Sequence, residues 1–563
     1  MIAIDCETIS LEDRTLVGFS IAGKGKAKYY PIAHKHPNIK NVDAVSARLL
    51  LQGLIDNNET VFHNSSFDVP VLTNWGINFG KASVDDTLII ANLLDENVRH
   101  GLKALSKRYL HHTMTELKEI IGTGKKRINV GDADERILKY ATEDAEQTLK
   151  LFSYLYPRLL QDGKLLKLYN EIEKPLLMVI AEMHIGGIMI DAGRIKEIKQ
   201  LCMDKTEEAK EKLDFVMEGV NCNSTKQLRE FFIDKKRMPI LKTTDKGAPS
   251  MDKETLKTYA ETNSAAKLLL EYRKYAKILS TFIPALSPKD VDLKISRGKI
   301  HASFNQAGTT SGRFSSSQPN FQNIPKDKDM DFRSCIVAEN GHVLIGYDYS
   351  QIELRILAHF TQDFRLMKAY KENLDIHQLT ADACGITRDK AKTVNFGIIY
   401  GMRNKTLGKR IDATPEEAQM YINKYMETYI GIKPYWERAE QQLRTHGYVE
   451  TICGRKRHRT REFQAKDTFD QSREIGSTTN STIQGSGADI LKTAMVIMYP
   501  KLKAIGARIV ACIHDEILVT CPKSKEQQGD KIVRESMLKA ASILSVPMEI
   551  SGGTGNSWRE VHQ

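Results

Sequence analysis

The stretch RIVACIHDEILVT at 508–520 sets two adjacent acids, Asp515 and Glu516, between strand-like segments. Arg508 to Ile513 and Ile517 to Val519 are β-branched and mostly apolar, the composition of a buried strand pair, and His514, Asp515 and Glu516 read as the tight turn joining them. A buried carboxylate costs several kcal/mol unless a cation or hydrogen bonds compensate it. The fold must therefore bring to this turn positive charge that its sequence neighbours do not supply.

A second acid beside a strand lies in VLIGYDYSQIELRILAHF at 343–360, where Asp348 ends an apolar run. Asp348 and Asp515 on adjacent strands would hold two Mg²⁺ roughly 3.5–4 Å apart, the arrangement of two-metal phosphoryl transfer. One ion would lower the pKa of an attacking hydroxyl, and the other would neutralise a triphosphate and its departing pyrophosphate. Between the two segments, TRDKAKTVNFGIIYG at 387–401 repeats Arg388, Lys392, Phe396 and Tyr400 at intervals of four. That spacing puts two cations and two aromatics along one slowly drifting helical stripe. Cations offset a triphosphate, and an aromatic face stacks on a base or sugar; an amphipathic helix with incidental basic residues is the plainer reading. Gly397 and Gly401 leave room for a template base to approach the backbone.

In IAIDCET, Asp5 and Glu7 flank Cys6, so both acids leave one face of a strand. Asp68 follows in HNSSFDVP, and Tyr140 and Asp144, four apart in KYATEDAEQTLK, share one side of a helix. Taken singly, each acid fits a solvated surface charge. Together, four acids and a phenol can converge on two divalent ions that activate water and steady the leaving oxygen of a phosphodiester. DxE, NxxxD and YxxxD in this order resemble the DEDDy family of 3′→5′ exonucleases, a likeness that puts Tyr140 where it orients the attacking water. GTGK at 122–125 lacks the rest of a GxxxxGK[ST] loop, because residue 119 is Glu, so no ATPase is implied.

DYSQIELR, RxxxKxxxFGxxYG and HDE, in that order, are similar to motifs A, B and C of family A DNA polymerases. TSGRFSSSQPNFQNIP at 310–325, DIHQLTA at 375–381 and QGSGADILKTAM at 484–495 extend the likeness over nearly the whole chain. The resemblance implies an α/β and α+β multidomain chain, an RNase H-like exonuclease domain followed by a right-hand polymerase. It implies exonuclease 1–160, a thumb-rich helical region 161–290, palm 291–362 with motif A, fingers 363–478 with motif B, and palm 479–563 with motif C. It also implies Asp348 and Asp515 as metal ligands with Glu516 supporting them, Arg388, Lys392 and His377 at the triphosphate, Phe396 at the sugar and base, and Tyr400 on the template side. Glu353 resembles the family's gate against a 2′-hydroxyl, and Gln351 and His514 join the substrate-binding set. Asn480 and Gln484 share a helical face whose amide donors can reach minor-groove acceptors common to A·T and G·C pairs, and Arg313 can do likewise. The family often carries Arg four residues before the Asn. This chain has Gly476 there and Arg473 one turn earlier, so that primer-strand contact is not carried over.

CGRKRHRTR at 453–461 holds five Lys or Arg residues, read either as a track for template phosphates or as a solvated loop. A formal net charge of +11 over 563 residues favours a polyanionic partner without proving one. The length points to three or four subdomains. The pattern gives an α/β unit to about residue 155 with strands IAIDCE, TLVGFSI, AKYYPIA and TVFHN, a connector at 157–175 bounded by prolines, and charged helices from 175 to about 285. LLMVIAEMHIGGIMI at 176–190 is too short to span a bilayer and reads as a core helix. Eight cysteines without CxxC spacing read as reduced core residues. Met1 leads directly into a strand, which reads as a cytoplasmic chain, in the host cytoplasm if a bacteriophage encodes it.

The expected function is template-directed addition of dNTPs to a primer 3′-OH on primer-template DNA, with 3′→5′ proofreading. Two Mg²⁺ serve each site, and Mn²⁺ can substitute. A layout with no 5′-nuclease domain ahead of the exonuclease strand and no long thumb insertion resembles a bacteriophage replicative enzyme. Such an enzyme is expected to be a monomer without membrane contact, working beside helicase-primase and single-strand-binding protein. One competing reading is a single-subunit RNA polymerase, disfavoured by Glu353 and the exonuclease acids. Another is a nuclease or DNA-binding subunit with an inert polymerase half, disfavoured by intact Asp348, Asp515, Arg388 and Lys392.

Overall fold

The computed structural model describes residues 1–11, 13–80, 82–288, 291–292, 297–325 and 330–562. The N-terminal segments form a five-stranded sheet of β1 (Ile2–Thr8), β2 (Leu16–Gly23), β3 (Lys26–Pro31), β4 (Thr60–Phe62) and β5 (Val84–Asp86), in the order β3-β2-β1-β4-β5. β1 runs antiparallel to β2 and parallel to β4, which makes it the central strand. A strand covered on both faces reads as a near-continuous apolar run, and Ile2, Ala3, Ile4 and Cys6 are buried there. The Arg136–Leu160 helix packs across this sheet, sending Ala141, Ala145, Leu151 and Leu155 inward at helical spacing.

Two expectations change beyond this unit. The 157–175 stretch is helical and packed: Pro157 lies inside the Arg136–Leu160 helix, and the chain continues through Gly163–Leu168 and Tyr169–Glu173 into Lys174–Gly186. Leu165, Leu168, Tyr169 and Ile172 are buried, so apolar contact overrides the proline signal. The apolar run at 176–190 is divided. Its helix ends at Gly186, and Ile188–Asp191 forms a strand. The charged helices Ala192–Met217 and Ser264–Lys277 pack on each other, with Leu213, Phe232, Tyr259 and Leu269 in a small core of their own.

The largest core encloses a four-stranded antiparallel sheet in the order Arg508–Ile513, Glu516–Pro522, His342–Tyr349 and Ile550–Gly555. Asp348 pairs with Glu516 on one side and Ser551 on the other, so it lies at the end of the sheet that carries the His514–Asp515 turn. The 37-residue Thr468–Ala504 helix and the Glu526–Ala541 helix pack together behind these strands.

The basic run at 453–461 is not a solvated loop. It lies in and after a hairpin of Tyr448–Glu450 with Lys456–His458. Arg457 Nη1 is 2.5 Å and His458 Nδ1 2.9 Å from the Glu96 carboxylate, Lys456 Nζ is 2.5 Å from Asp162, and Arg461 Nη2 is 3.2 Å from Asp95. Acids of the first 162 residues therefore pair with Lys456, Arg457 and Arg461 of the run, while Arg459 Nη1 donates to the Arg444 carbonyl at 3.5 Å. All eight cysteines are free thiols and only Cys453 is not fully buried, as their spacing suggested. Among the described residues no helix is long and apolar enough to cross a membrane.

Candidate active sites

β1 and the Arg136–Leu160 helix bring Asp5, Glu7 and Asp144 together, with one carboxylate oxygen of each within 4.8 Å of the others. Asp68 is buried beside them, its Oδ1 accepting from the Cys6 N–H at 2.9 Å. Burial first, and then the neighbouring carboxylates, hold Asp5 and Glu7 well above the ordinary carboxylate range. Burial likewise pushes Asp68 up to about 8 and Asp144 to about 6. Asp144 Oδ1 is buried with no hydrogen-bond partner among the described residues. Hard oxygen donors, crowded, desolvated and including an orphaned carboxylate oxygen, fit divalent cations. Tyr140 stands one turn before Asp144. Lys103 donates to its hydroxyl at 3.1 Å and lies 4.4 Å from its ring centroid. The Lys103 charge also favours the ionised forms of Asp5, Glu7 and Asp144.

At the other sheet, His514 turns the chain with φ +56, a conformation uncommon for a residue with a side chain. Gln322 holds the turn: its Oε1 accepts from the His514 N–H at 2.7 Å, and its Nε2 donates to the Cys512 carbonyl at 2.9 Å. The Asp515 carbonyl accepts from the Tyr349 N–H at 3.3 Å, which seats the turn beside the Asp348 strand end. Asp348, Asp515 and Glu516 line one cavity of about 190 Å³ together with Gln322, Arg333 and Trp558.

The two adjacent acids have different surroundings. Burial raises Asp515, and Arg313, 3.9 Å away, opposes the rise. Glu516 instead accepts from Trp558 Nε1 at 2.6 Å and meets His562 Nε2 at 2.8 Å. Groups near residue 560 thus compensate Glu516, while Asp348 and Asp515 line the cavity with hard carboxylate oxygens of the kind that suit a divalent cation.

Glu353 is buried and doubly held: Tyr400 donates to its Oε2 at 2.7 Å, and Arg313 Nη2 lies 2.5 Å from its Oε1. Burial raises its pKa against both contacts. Gln351, at φ +53, caps the Ile352–Thr361 helix and accepts from the Tyr370 hydroxyl at 3.2 Å. The Arg388–Ile399 helix presents Arg388 and Lys392 to solvent and leaves Phe396 half-buried, with Tyr400 just past its end. The Phe396 ring is 5.9 Å from His377 and 6.4 Å from Tyr400. Arg388 pairs with Asp375 at 2.7 Å, next to the helix start that carries His377. Burial lowers His377; the Asp375 charge opposes this, and those of Arg388 and Lys392 add to it. Gly401 takes φ +65 with open space around it. A Cβ at Gly397 would meet Leu407 at 3.0 Å and Met402 at 3.3 Å, so that glycine serves helix packing rather than approach of a base. Asn480 and Gln484 are half-buried on the Thr468–Ala504 helix, and Asn480 Oδ1 is buried without a partner among the described residues.

Lys103, Gln322 and Arg333 are side chains at these sites that sequence reasoning missed. Arg333 lies 4.5 Å over the Trp558 ring, on the wall of the acid cavity. None has a fixed spacing to an acid motif that would have marked it.

Residues 193–560 match the model of DNA polymerase family A, and residues 1–160 match a 3′-5′ exonuclease model. DNA polymerase I of Pseudomonas aeruginosa is 33% identical over 586 residues, covering 100% of this chain and 64% of that protein. DNA polymerase I of Borreliella burgdorferi is 34% identical over 579 residues, covering 100% of this chain and 62% of that protein. The chain thus spans less than two thirds of the length of these curated relatives. The solved POL domain of Pol1 from M. smegmatis, in complex with DNA primer-template and dNTP, is similar with a TM-score of 0.85 at 25% identity, covering 100% of this chain and 96% of that one.

Proposed function

The chain belongs to DNA polymerase family A, and from that premise we propose that it extends a primer 3′-OH with dNTPs on a DNA template and removes 3′ nucleotides at a separate site. The observation that carries this reading is a pair of acid clusters on two different sheets, one crowded with carboxylates and one faced by cations. Asp348 and Asp515 would hold Mg²⁺ or Mn²⁺ at the first reaction, and Asp5, Glu7, Asp68 and Asp144 at the second. Bound there, the ions supply Lewis acidity and neutralise charge on the leaving group.

The chain's own residues supply the rest. Arg388, Lys392 and His377 bind the triphosphate and offset its charge. Phe396 borders the sugar and base, and Tyr400, held by Glu353, borders the template side of the nascent pair. Glu353 lies under the sugar, where its fixed carboxylate leaves no room for a 2′-hydroxyl. Arg313, Asn480 and Gln484 address minor-groove acceptors that all correct pairs present, so geometry is checked without reading sequence. At the exonuclease site Tyr140 orients the attacking water, with Lys103 fixing its hydroxyl. The proposed division is exonuclease 1–160, thumb-rich helices 161–290, palm 291–362 and 479–563, and fingers 363–478, in keeping with a five-stranded sheet within the first part and a four-stranded sheet drawn from 291–362 and 479–563.

In Mg²⁺ the protein is expected to extend a labelled primer with dNTPs and to shorten single-stranded DNA from its 3′ end, both activities being lost in EDTA. Comparable use of rNTPs would favour a single-subunit RNA polymerase, and no extension at all would leave a nuclease. The finer reading, a bacteriophage replicative enzyme aided by helicase-primase and single-strand-binding protein, draws no support from the bacterial relatives. Processivity with and without such partners tests it: a large rise favours replication, and no change favours repair.

A further inference from the structure

Four charged side chains outside both sites are nearly inaccessible: Arg455 is 5%, Glu173 1%, Asp489 0% and Lys492 0% exposed. Arg455 forks onto Asp489 Oδ1 through Nε at 2.9 Å and Nη2 at 2.7 Å, and Nη2 also meets Glu173. Lys492 Nζ donates to Glu173 Oε1 at 2.7 Å and to the Gln306 carbonyl at 2.9 Å. Thr451 Oγ1 donates to Asp489 Oδ2 at 2.5 Å. A buried ionic group of this kind is often no more stabilising than apolar residues of similar volume. What such a group does supply is fixed geometry.

That geometry is the 306–313 loop. At one end Gln306 Nε2 donates to the Glu173 carbonyl at 3.0 Å and to its Oε2 at 2.7 Å. At the other end Gly312 has φ +81, and a Cβ there would fall 2.5 Å from Arg455 Nε. Glycine is needed both for the backbone and for the approach of the guanidinium. Between the ends, the Ser311 carbonyl lies 2.8 Å from where a Gly485 Cβ would stand, next to Gln484, and Thr309 Oγ1 donates to the Arg313 carbonyl at 2.9 Å. The loop then delivers Arg313, whose Nη2 reaches Glu353 and Asp515. On the far side, Tyr169 and Lys174, flanking the Glu173 turn, bind Asp85 of β5 at 2.7 and 2.9 Å.

We propose that Arg455, Asp489, Glu173 and Lys492 form a positioning frame that seats the 306–313 loop, aims Arg313 at the primer terminus, and so sets how readily a mismatched terminus is extended. The frame rests on the polymerase reading above. None of its members touches substrate; each acts through the loop.

The test compares Arg455→Met, which keeps the side-chain length and loses the fork, with Arg313→Ala, the double variant, Arg455→Lys and Gly312→Ala, all in the full chain. Extension of matched and mismatched primers is measured in Mg²⁺, while single-stranded DNA degradation and thermal unfolding report folding. Arg455→Met is expected to lower kcat for matched extension on the order of 10- to 100-fold, with KM for dNTP nearly unchanged and Arg455→Lys partly restoring the rate. It should change the matched-to-mismatched ratio in the same sense as Arg313→Ala and add little to it in the double variant. If Arg455→Met does not fold, Gly312→Ala, which displaces the loop without removing a charge, must give the same kcat loss. Unchanged extension in a folded variant, or losses that add in full to those of Arg313→Ala, would overturn the frame. A wild-type protein that extends no primer would instead remove the polymerase reading, and the frame's role with it.

Discussion

The two acid sites carry charge in opposite ways. At the N-terminal sheet, three carboxylates crowd within 4.8 Å, with Asp68 alongside, and burial raises them all. At the C-terminal sheet, Asp348 and Asp515 line one cavity at a hairpin end where Arg313 answers Asp515, while Arg388 and Lys392 stand on a separate helix. Under the proposed function the difference follows from the substrate: a phosphodiester end brings less charge than a triphosphate, so the crowded site would gather cations with its carboxylates, and the site at Asp515 would set fewer acids beside more basic groups.

Removing one acid from each site gives the largest contrast. Asp515→Ala should lower primer extension by about 10³-fold or more and spare degradation of single-stranded DNA, and Asp5→Ala should do the reverse. Loss of both activities in either variant contradicts separate sites. Lys103→Met should slow the exonuclease on the order of 10- to 100-fold through a poorly oriented Tyr140, with extension unaffected; an unchanged exonuclease rate removes Lys103 from the site. Phe396→Tyr addresses the site at Asp515 alone. By the family resemblance it should raise termination by dideoxynucleotides relative to dNTPs, and a constant ratio removes Phe396 from the sugar pocket.

The smallest effect concerns the charges that join the two halves. Burial by itself raises Glu173, but Lys492 and Arg455 outweigh it and hold the carboxyl down at about 2. A folded-state pKa below the unfolded value of about 4.3 adds stability that is present above that value and is lost as pH falls through the folded one. Glu173→Gln should therefore lower the unfolding temperature at neutral pH and flatten its fall between pH 4.5 and 2. An unaltered acid limb would show that Glu173 is not ion-paired in solution.

Much of both sites was legible because their acids sit on elements with strict periods. Asp5 and Glu7 alternate on a strand, Tyr140 and Asp144 are a helical turn apart, and Arg388, Lys392 and Phe396 follow one helix. Periodicity gives the face a residue occupies but not the partner it meets. Glu516 follows Asp515 directly yet stands on the next strand and bonds to Trp558 and His562, and Lys456, Arg457 and Arg461 pair with Asp162, Glu96 and Asp95, hundreds of residues away in sequence. Lys103 and the frame around Arg455 are defined only by such contacts, and the 157–175 helices replace a connector because burial outweighs local proline chemistry.

Crystals of the protein with primer-template DNA and an unreactive dNTP, soaked in Mn²⁺, measure the two-site assignment most directly. Anomalous peaks are predicted between Asp348 and Asp515 and, separately, among Asp5, Glu7 and Asp144. Asp348 and Asp515 held apart beside bound DNA, with no ion between them, would contradict it.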